Sequence, residues 1–421
     1  MIKHNRCRIS KEPLVELFSL GLLHLSDFPA RDDTRPRKPV ELKLCLAPTS
    51  GLVQLSHTAS LDEMYREYWY RSGISNTMRA ELKQIAEMTQ YLSKVKSGDI
   101  WVDIGCNDGT LLSFVDKRLI KVGFDPAKNG YASEARQHAN LVVEDYFTAN
   151  AYKKSKYGKK QAKVVTSIAM FYDLENPNSF VEDINKILDN DGVWMVQMSY
   201  LPLMLDQLAF DNICHEHLEY YSLTSFKYLM EKHGFEIVDC QLNDSNGGFF
   251  RVFLRKKGAN PVKFATAPYR EVAKFRVQSI LHYEKSLKLN HRSTYLKFYR
   301  EAVKLKNQTV NFIKKEKAKG KSIWGYGAST KGNTLLQWFG LDHTLIDAIA
   351  ERHPVKYGRK TVSTNIPILS EEEMRKLQPD YLLVLPWHFI NEFCEREAAF
   401  LNRGGKFIVP CPKFEIMGAD N

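Results

Sequence analysis

Apolar residues along the chain repeat with two different periods, and the switches between them mark its organisation. Short apolar runs bounded by Gly, Asp, Asn or Pro fall near 100–104, 121–125, 140–143, 163–168, 192–198, 235–240 and 249–255, and each is read as a strand. Stretches of helical period lie between the first five of them. That alternation over 98–258 predicts a strand–helix unit with a mostly parallel sheet. Its last two strands follow one another closely and predict an antiparallel end. Apolar positions at helical spacing over 62–92 stand behind an aromatic cluster at 65–70. Residues 265–319 are long, polar and helical in period, and residues 321–412 return to alternating strands and helices. Residues 1–60 hold only short strand-like runs. The divisions expected are 1–60, 61–260, 261–320 and 321–421.

Composition narrows the class. Of 421 residues, 44% are apolar and 26% charged, the balance of an ordinary globular chain long enough for two or three cores. The net charge of +11 suits an anionic partner, either nucleic acid or an anionic small molecule such as a nucleotide sugar. Lys and Arg concentrate at 153–163 and 304–321 without forming long single-sign blocks, so they read as solvated faces. The first residues are polar and no apolar signal region follows. No run approaches the ~18 apolar residues of a membrane span. Seven cysteines, odd in number and irregular in spacing, suit a reduced cytoplasm. Cys7, Ser10, Cys45 and Ser50 outline a small zinc-ribbon-like N-terminal subdomain in which serines stand for cysteines; zinc is not expected there.

Three stretches carry candidate chemistry. In the first, a strand at 101–104 runs into D-I-G-C-N-D-G-T, with Asp103, Gly105, Asn107 and Gly109, and then into a helix start. A second strand at 121–124 ends in Asp125. Glycines let a backbone approach a ligand, and a carboxylate at Asp125 can take two vicinal ribose hydroxyls. Asp103 inside the turn disfavours a diphosphate by like-charge repulsion and favours a cationic ligand. This turn and its acid resemble motif I and the ribose-binding acid of class I S-adenosylmethionine (SAM) methyltransferases. Asp145, Tyr146 and Phe147, beyond the third strand, complete the expected cofactor contacts.

The second stretch, D-N-I-C-H-E-H-L-E-Y-Y-S-L at 211–223, packs His215, Glu216 and His217 together. It is not the H-E-x-x-H of a zinc site. Alternate spacing would place His215 and His217 on one side of an extended segment, and a histidine is a natural base for a carbon acid beside a ketone. The third, S-I-W-G-Y-G-A-S-T-K-G-N at 322–333, is a strand, a glycine-rich loop and a helix start that would cradle a diphosphate, with charge added by Lys331. Arg352 and Lys356 follow the next strand, and Trp387 and His388 a later one.

The order of these pieces resembles the sugar C-methyltransferases that act on nucleotide-linked 4-keto-deoxysugars. The matching residues are G-L-V-Q-L at 51–55, the turn at 103–112, H-E-H-L at 215–218, N-G-G at 246–248, G-Y-G-A-S-T-K-G-N-T-L-L at 325–336, and Trp387. The resemblance implies an α/β fold with a Rossmann-like class I methyltransferase domain, a second, C-terminal Rossmann-like domain that binds the nucleotide sugar, and the zinc-ribbon-like subdomain. It implies SAM as cofactor and methylation of a carbon next to the ketone through an enolate. His217 would be the base, Glu216 its neighbouring hydrogen-bonding group, and Tyr70 a further catalytic residue. Tyr68, Cys214, His215, Asn246, Gly247, Gly327, Ser329, Lys331, Asn333, Arg352, Lys356, Trp387 and His388 would meet the substrate. The chain departs from the family in three places. Cys214 stands where Tyr is frequent, 166–170 lacks the usual Asn and His, and the zinc cysteines are half gone. The rival readings are an NAD-dependent oxidoreductase with Glu351 as ribose acid, a nucleotide-sugar-binding protein without catalysis, and a nucleic-acid methyltransferase. The last lacks a recognisable RNA module, and no nucleic-acid or membrane partner is expected.

Overall fold

The computed structural model describes residues 1–60, 63–64, 70–128, 130–244 and 247–419. The chain opens with β1 (Ile2–Lys3), β2 (Val15–Leu23), β3 (Val40–Leu46), β4 (Val53–Leu55) and β5 (His57–Thr58). β1 pairs with β5, while β2, β3 and β4 form an antiparallel ladder. The helix Asn76–Ser93 follows. Ser75 ends a 3-10 turn at Ser72–Ile74 and caps the helix by accepting from the Met78 N–H at 3.3 Å. The helical period seen over 62–92 is therefore continuous helix only from Asn76.

The central unit holds β6 (Ile100–Ile104), β7 (Ile120–Phe124), β8 (Leu141–Val143), β9 (Ala162–Ile168), β10 (Leu188–Ser199), the short β11 (Glu219–Tyr220), β12 (Phe235–Asn243) and β13 (Phe249–Lys256). Its seven-stranded sheet runs β12-β13-β10-β9-β6-β7-β8; β6 to β10 are parallel, and β13 is antiparallel to both its neighbours. Every residue of β6 is buried, because the strand has partners on both edges and cover on both faces. That is why it reads as a continuous apolar run rather than an alternating one. This is the Rossmann-like fold of a class I methyltransferase.

Helices Ala267–Ser286 and Arg292–Ala318 lead to a second α/β unit. Its strands are β14 (Ile323–Tyr326), β15 (Ile349–Glu351), β16 (Ile368–Ser370), β17 (Tyr381–Val384), β18 (Lys406–Val409) and β19 (Glu415–Met417). The order is β16-β15-β14-β17-β18-β19, parallel except for β19.

Residues 1–60 do not close on themselves. The fourth strand of their sheet is β11, with Glu219 opposite Gln54 and Tyr220 opposite Val53. Their apolar face joins one core with the second α/β unit: Phe18, Leu42 and Leu44 belong to the same buried cluster as Phe210, Trp338 and Ile349. Phe18 packs on Phe298 and Tyr299 at centroid distances of 6.1 and 4.7 Å, and Phe210 on Trp338 and Phe339 at 4.9 and 5.2 Å.

At the ribbon-like turns, Cys7 lies 3.5 Å from the Ser50 hydroxyl, while Cys45 sits in β3 in register with Glu16 and Gln54. The Glu12 carboxylate accepts from the Ser10 hydroxyl (2.8 Å) and from the Thr49 and Ser50 N–H groups (2.9 Å each). Burial would raise Glu12, but these bonds bring it down to about 2. Among the described residues, no group of three or more His, Cys, Asp or Glu is placed to hold a metal, and no helix is long and apolar enough to cross a membrane.

Candidate active site

The turn after β6 is held open by backbone conformation and by Asp125. Gly105, Asn107 and Gly109 all have positive φ. A Cβ on Gly109 would sit 2.7 Å from the Ala135 Cα, so only glycine fits. Asp125, at the end of β7, accepts from the Asn107 N–H at 2.8 Å and the Ala127 N–H at 2.9 Å. The Asn107 side chain accepts from the Ser72 N–H and donates to the Tyr70 carbonyl, tying in the segment before the helix Asn76–Ser93. Asp108 accepts from the Gly73 N–H at 2.8 Å. Asp103 is 3% exposed and accepts from the Thr166 hydroxyl at 2.6 Å, and burial raises it to about 7.

This turn forms one end of a cavity of about 360 Å³. Asp103, Gly105, Asn107, Asp125, Asp145, Tyr146 and Phe147 line it there. Tyr70, Cys214, Glu216, His217, Ser329, Lys331 and His388, brought from four segments of the chain, line the cavity as well. His217 is half-buried. Its Nδ1 lies 2.9 Å from the Asn212 carbonyl, which only accepts, so Nδ1 carries the proton and Nε2 the lone pair. The Tyr172 ring stands edge-on at 4.4 Å. Desolvation, then the nearby Lys331 charge, lower His217 to about 3, against the Asn212 bond. Glu216 is 6% exposed and burial raises it to about 7.

A second cavity of about 180 Å³ adjoins the first and shares Tyr70, Ser329, Thr330, Pro386 and Phe389 with it. Gly327, Glu351, Arg352, His353, Lys356 and Arg396 line its remainder. Glu351 repeats the device of Asp125: at the end of a second strand it accepts from the Ala328 N–H of the preceding glycine loop at 2.7 Å, and from the N–H groups of Arg352 and His353. Lys356 donates to the Ala328 carbonyl at 2.6 Å.

Several residues expected to touch a ligand line neither cavity. His215 points away because residues 214–217 turn, the His217 N–H bonding back to the Cys214 carbonyl, rather than running extended. Its Nε2 meets the Val40 carbonyl at 3.0 Å, and burial lowers it to about 4. Asn333 is buried against the N-terminal segment, its amide reaching the Asp27 carbonyl at 3.4 Å. Trp387 donates to Asp211 at 3.0 Å and backs onto Gly247. Gly109 packs behind the turn. Tyr68 and Asn246 lie outside the described residues. Sequence reasoning missed Asp211, 1% exposed, and the wall of Met78, Leu82, Ile168, Met170 and Leu174. An aspartate at a loop start gives no signal of burial, and the apolar wall reads as core.

The first cavity suits SAM. Its floor offers buried carboxylates to a cation and a ribose diol, and a glycine turn permits close backbone approach. Family models and a curated relative point to methyl transfer. A methyltransferase domain model matches residues 75–239, and a C-methyltransferase C-terminal domain model matches residues 244–412. The C-methyltransferase NovU of Streptomyces niveus is 29% identical over 384 residues, 91% of this chain and 88% of that one. Among solved structures, the plantazolicin methyltransferase BpumL in complex with SAH aligns with TM-score 0.33 and 13% identity over 42% of this chain and 82% of its own. Magnesium protoporphyrin IX methyltransferase from Synechocystis PCC 6803 with bound SAM aligns with TM-score 0.33 and 9% identity, covering 42% and 79%.

Proposed function

For an enzyme that groups with the SAM-dependent C-methyltransferases, we propose the reaction to be methylation of the carbon beside the ketone of a nucleotide-linked keto-deoxysugar, through an enolate. One observation carries this reading. A single cavity joins the cofactor turn to His217 and to the N-terminus of the helix Thr330–Phe339. SAM supplies a methyl group made electrophilic by its sulfonium.

The protein supplies position and a base. Asp125 is within the cofactor end of the cavity and receives the ribose diol; Asp103 faces the cationic end of the ligand. His217 takes the α-proton on Nε2, and the Asn212 carbonyl holds the tautomer that leaves this nitrogen unprotonated. Glu216 is the adjoining hydrogen-bonding group, and Tyr70 lines both cavities. The nucleotide lies over Gly327, Ser329, Arg352 and Lys356, so that the sugar reaches into the first cavity. The repeat of the Asp125 arrangement at Glu351 supports a nucleotide there. Holding the two reactants in line can contribute ~7–11 kcal/mol towards the barrier.

A thermal-shift panel tests the cofactor and product analysis the chemistry. SAM and SAH at 100 times Kd should each add about 2.7 kcal/mol of stability, and NAD little. With SAM and a nucleoside-diphosphate 4-keto-6-deoxyhexose, the product should gain one methyl on carbon. Stabilisation by NAD but not by SAM, or a methyl found on oxygen, would overturn the reading.

A further inference from the structure

Lys331 was expected to serve the diphosphate, yet it does not face the second cavity. Ser329 and Thr330 line both cavities, whereas Lys331 lines only the first, among Cys214, Glu216, His217, Pro386 and His388. The helix Thr330–Phe339 fixes it there from both ends. At the N-terminus Ser329 caps the helix, accepting from the Gly332 N–H at 2.9 Å. At the C-terminus Trp338 and Phe339 pack on Phe210, which opens the loop carrying His217. The same loop supplies the ammonium's counter-charge. Asp211 is buried and accepts from Trp387; burial pushes its carboxyl up and the Lys331 ammonium down, and the attraction between the two charges works against both shifts. Base and cation are thus referenced to one loop and face one cavity.

Proton abstraction from a carbon acid by His217 alone is poorly driven, since desolvation and the Lys331 charge lower its basicity. The pair makes chemical sense if the negative charge created on substrate arrives beside the cation. We propose that Lys331 is a catalytic residue whose ammonium binds the ketone oxygen and stabilises the enolate oxygen as His217 removes the α-proton. The C–H bond breaks, its proton goes to His217 Nε2, and the electron pair moves through the carbon–carbon bond onto the oxygen held by Lys331. The new negative charge offsets the ammonium that had depressed His217, so the base gains proton affinity as it is protonated. The N-terminus of the helix adds its own positive potential at the same end of the cavity.

This rests on the enolate reading, and the test separates the two. Exchange of the α-proton of a nucleoside-diphosphate 4-keto-6-deoxyhexose with deuterium oxide is followed without SAM, for wild type, Lys331→Met and Lys331→Arg. Binding of the same sugar nucleotide and of SAH is measured by calorimetry, and folding by thermal melting. Wild type should exchange. Lys331→Met should exchange about 10²–10³-fold more slowly, the loss typical of one oxyanion donor, with sugar-nucleotide affinity changed far less. Lys331→Arg, which keeps the charge, should recover part of the rate and guards against a folding defect in the Met variant. Wild-type exchange matched by Lys331→Met would overturn the assignment of Lys331 alone. Loss of sugar-nucleotide affinity in proportion to the rate would return Lys331 to the diphosphate. Borohydride trapping of the sugar on wild type but not on Lys331→Arg would make Lys331 a covalent catalyst, which also overturns the proposal. No exchange by wild type that binds both ligands would remove the enolate reading itself.

Discussion

His217 and Asp103 carry the sharpest expectations for single residues. His217→Ala should retain SAH affinity by calorimetry, because the residues proposed to hold the cofactor are those of the turn after β6 and Asp125, and should lose turnover by ~10²–10⁴-fold. Unchanged turnover would assign the base elsewhere. Burial holds Asp103 at about 7, so its carboxyl gains a proton as pH falls through that value. The ionised form is the one that attracts a cation. SAM affinity should therefore weaken on the acid side of about 7, and Asp103→Asn should bind with no such dependence. A wild-type Kd that stays constant through that range would separate Asp103 from the cofactor. The density of titratable groups made His217 legible from sequence. It could not tell His217 from His215, since the turn over residues 214–217 decides which ring faces the cavity. Lys331 was legible as a ligand residue, but the cavity it lines was not, because a helix N-terminus shows its cap in sequence and not the direction of its second side chain.

Among elements, the helix Leu223–Lys232 depends on an acid from elsewhere. Glu284, on the helix Ala267–Ser286, accepts from the Leu223 N–H (2.6 Å), the Thr224 N–H (2.8 Å), the Thr224 hydroxyl (2.6 Å) and the Tyr200 hydroxyl (2.7 Å). Removing it leaves several buried donors without an acceptor. Glu284→Ala should cost about 3 kcal/mol, read as a lower urea midpoint, and Glu284→Gln less. An unchanged midpoint would show that water replaces the carboxylate. Strands of the two α/β units were legible because buried parallel strands are continuous apolar runs. β11 was not: two residues, Glu219 and Tyr220, carry no period, and their pairing with β4 crosses more than half the chain before it. In the helix before β6 the apolar period runs without a break through Ser72–Ile74, which form a 3-10 turn, so the sequence does not show the interruption there.

At the scale of the molecule, the cavity is an agreement between units distant in sequence. The loop with His217 hangs from the N-terminal sheet through β11, from the second α/β unit through Phe210 and the Trp387–Asp211 bond, and from the central sheet where Leu201 bonds to Tyr221. Trp387→Phe deletes one donor to a buried carboxylate and should lower stability by about 1–3 kcal/mol. It should also lower kcat for methylation while leaving SAH affinity unchanged, measured by steady-state kinetics and calorimetry. Equal loss of SAH affinity would mean the bond supports the whole fold rather than the loop. Composition and period showed two α/β units and a small N-terminal piece, but not that the first and last parts of the chain share a core. Packing of Phe18 on Phe298, or Phe210 on Trp338, is set by surfaces that look alike in sequence whether they meet each other or solvent.

Glu12 changes what the N-terminal turns can withstand. A carboxylate clasp, unlike a thiolate–metal one, is indifferent to chelators and to the metal content of the growth medium. Its weakness is acid. With the folded group at about 2, the clasp contributes its full stabilisation above the ordinary glutamate range and loses it as pH falls through that range toward about 2. β2, β3 and β4 share their sheet with β11, beside the loop that carries His217. Acid below the ordinary glutamate range, toward about 2, should loosen these turns and the sheet built on them.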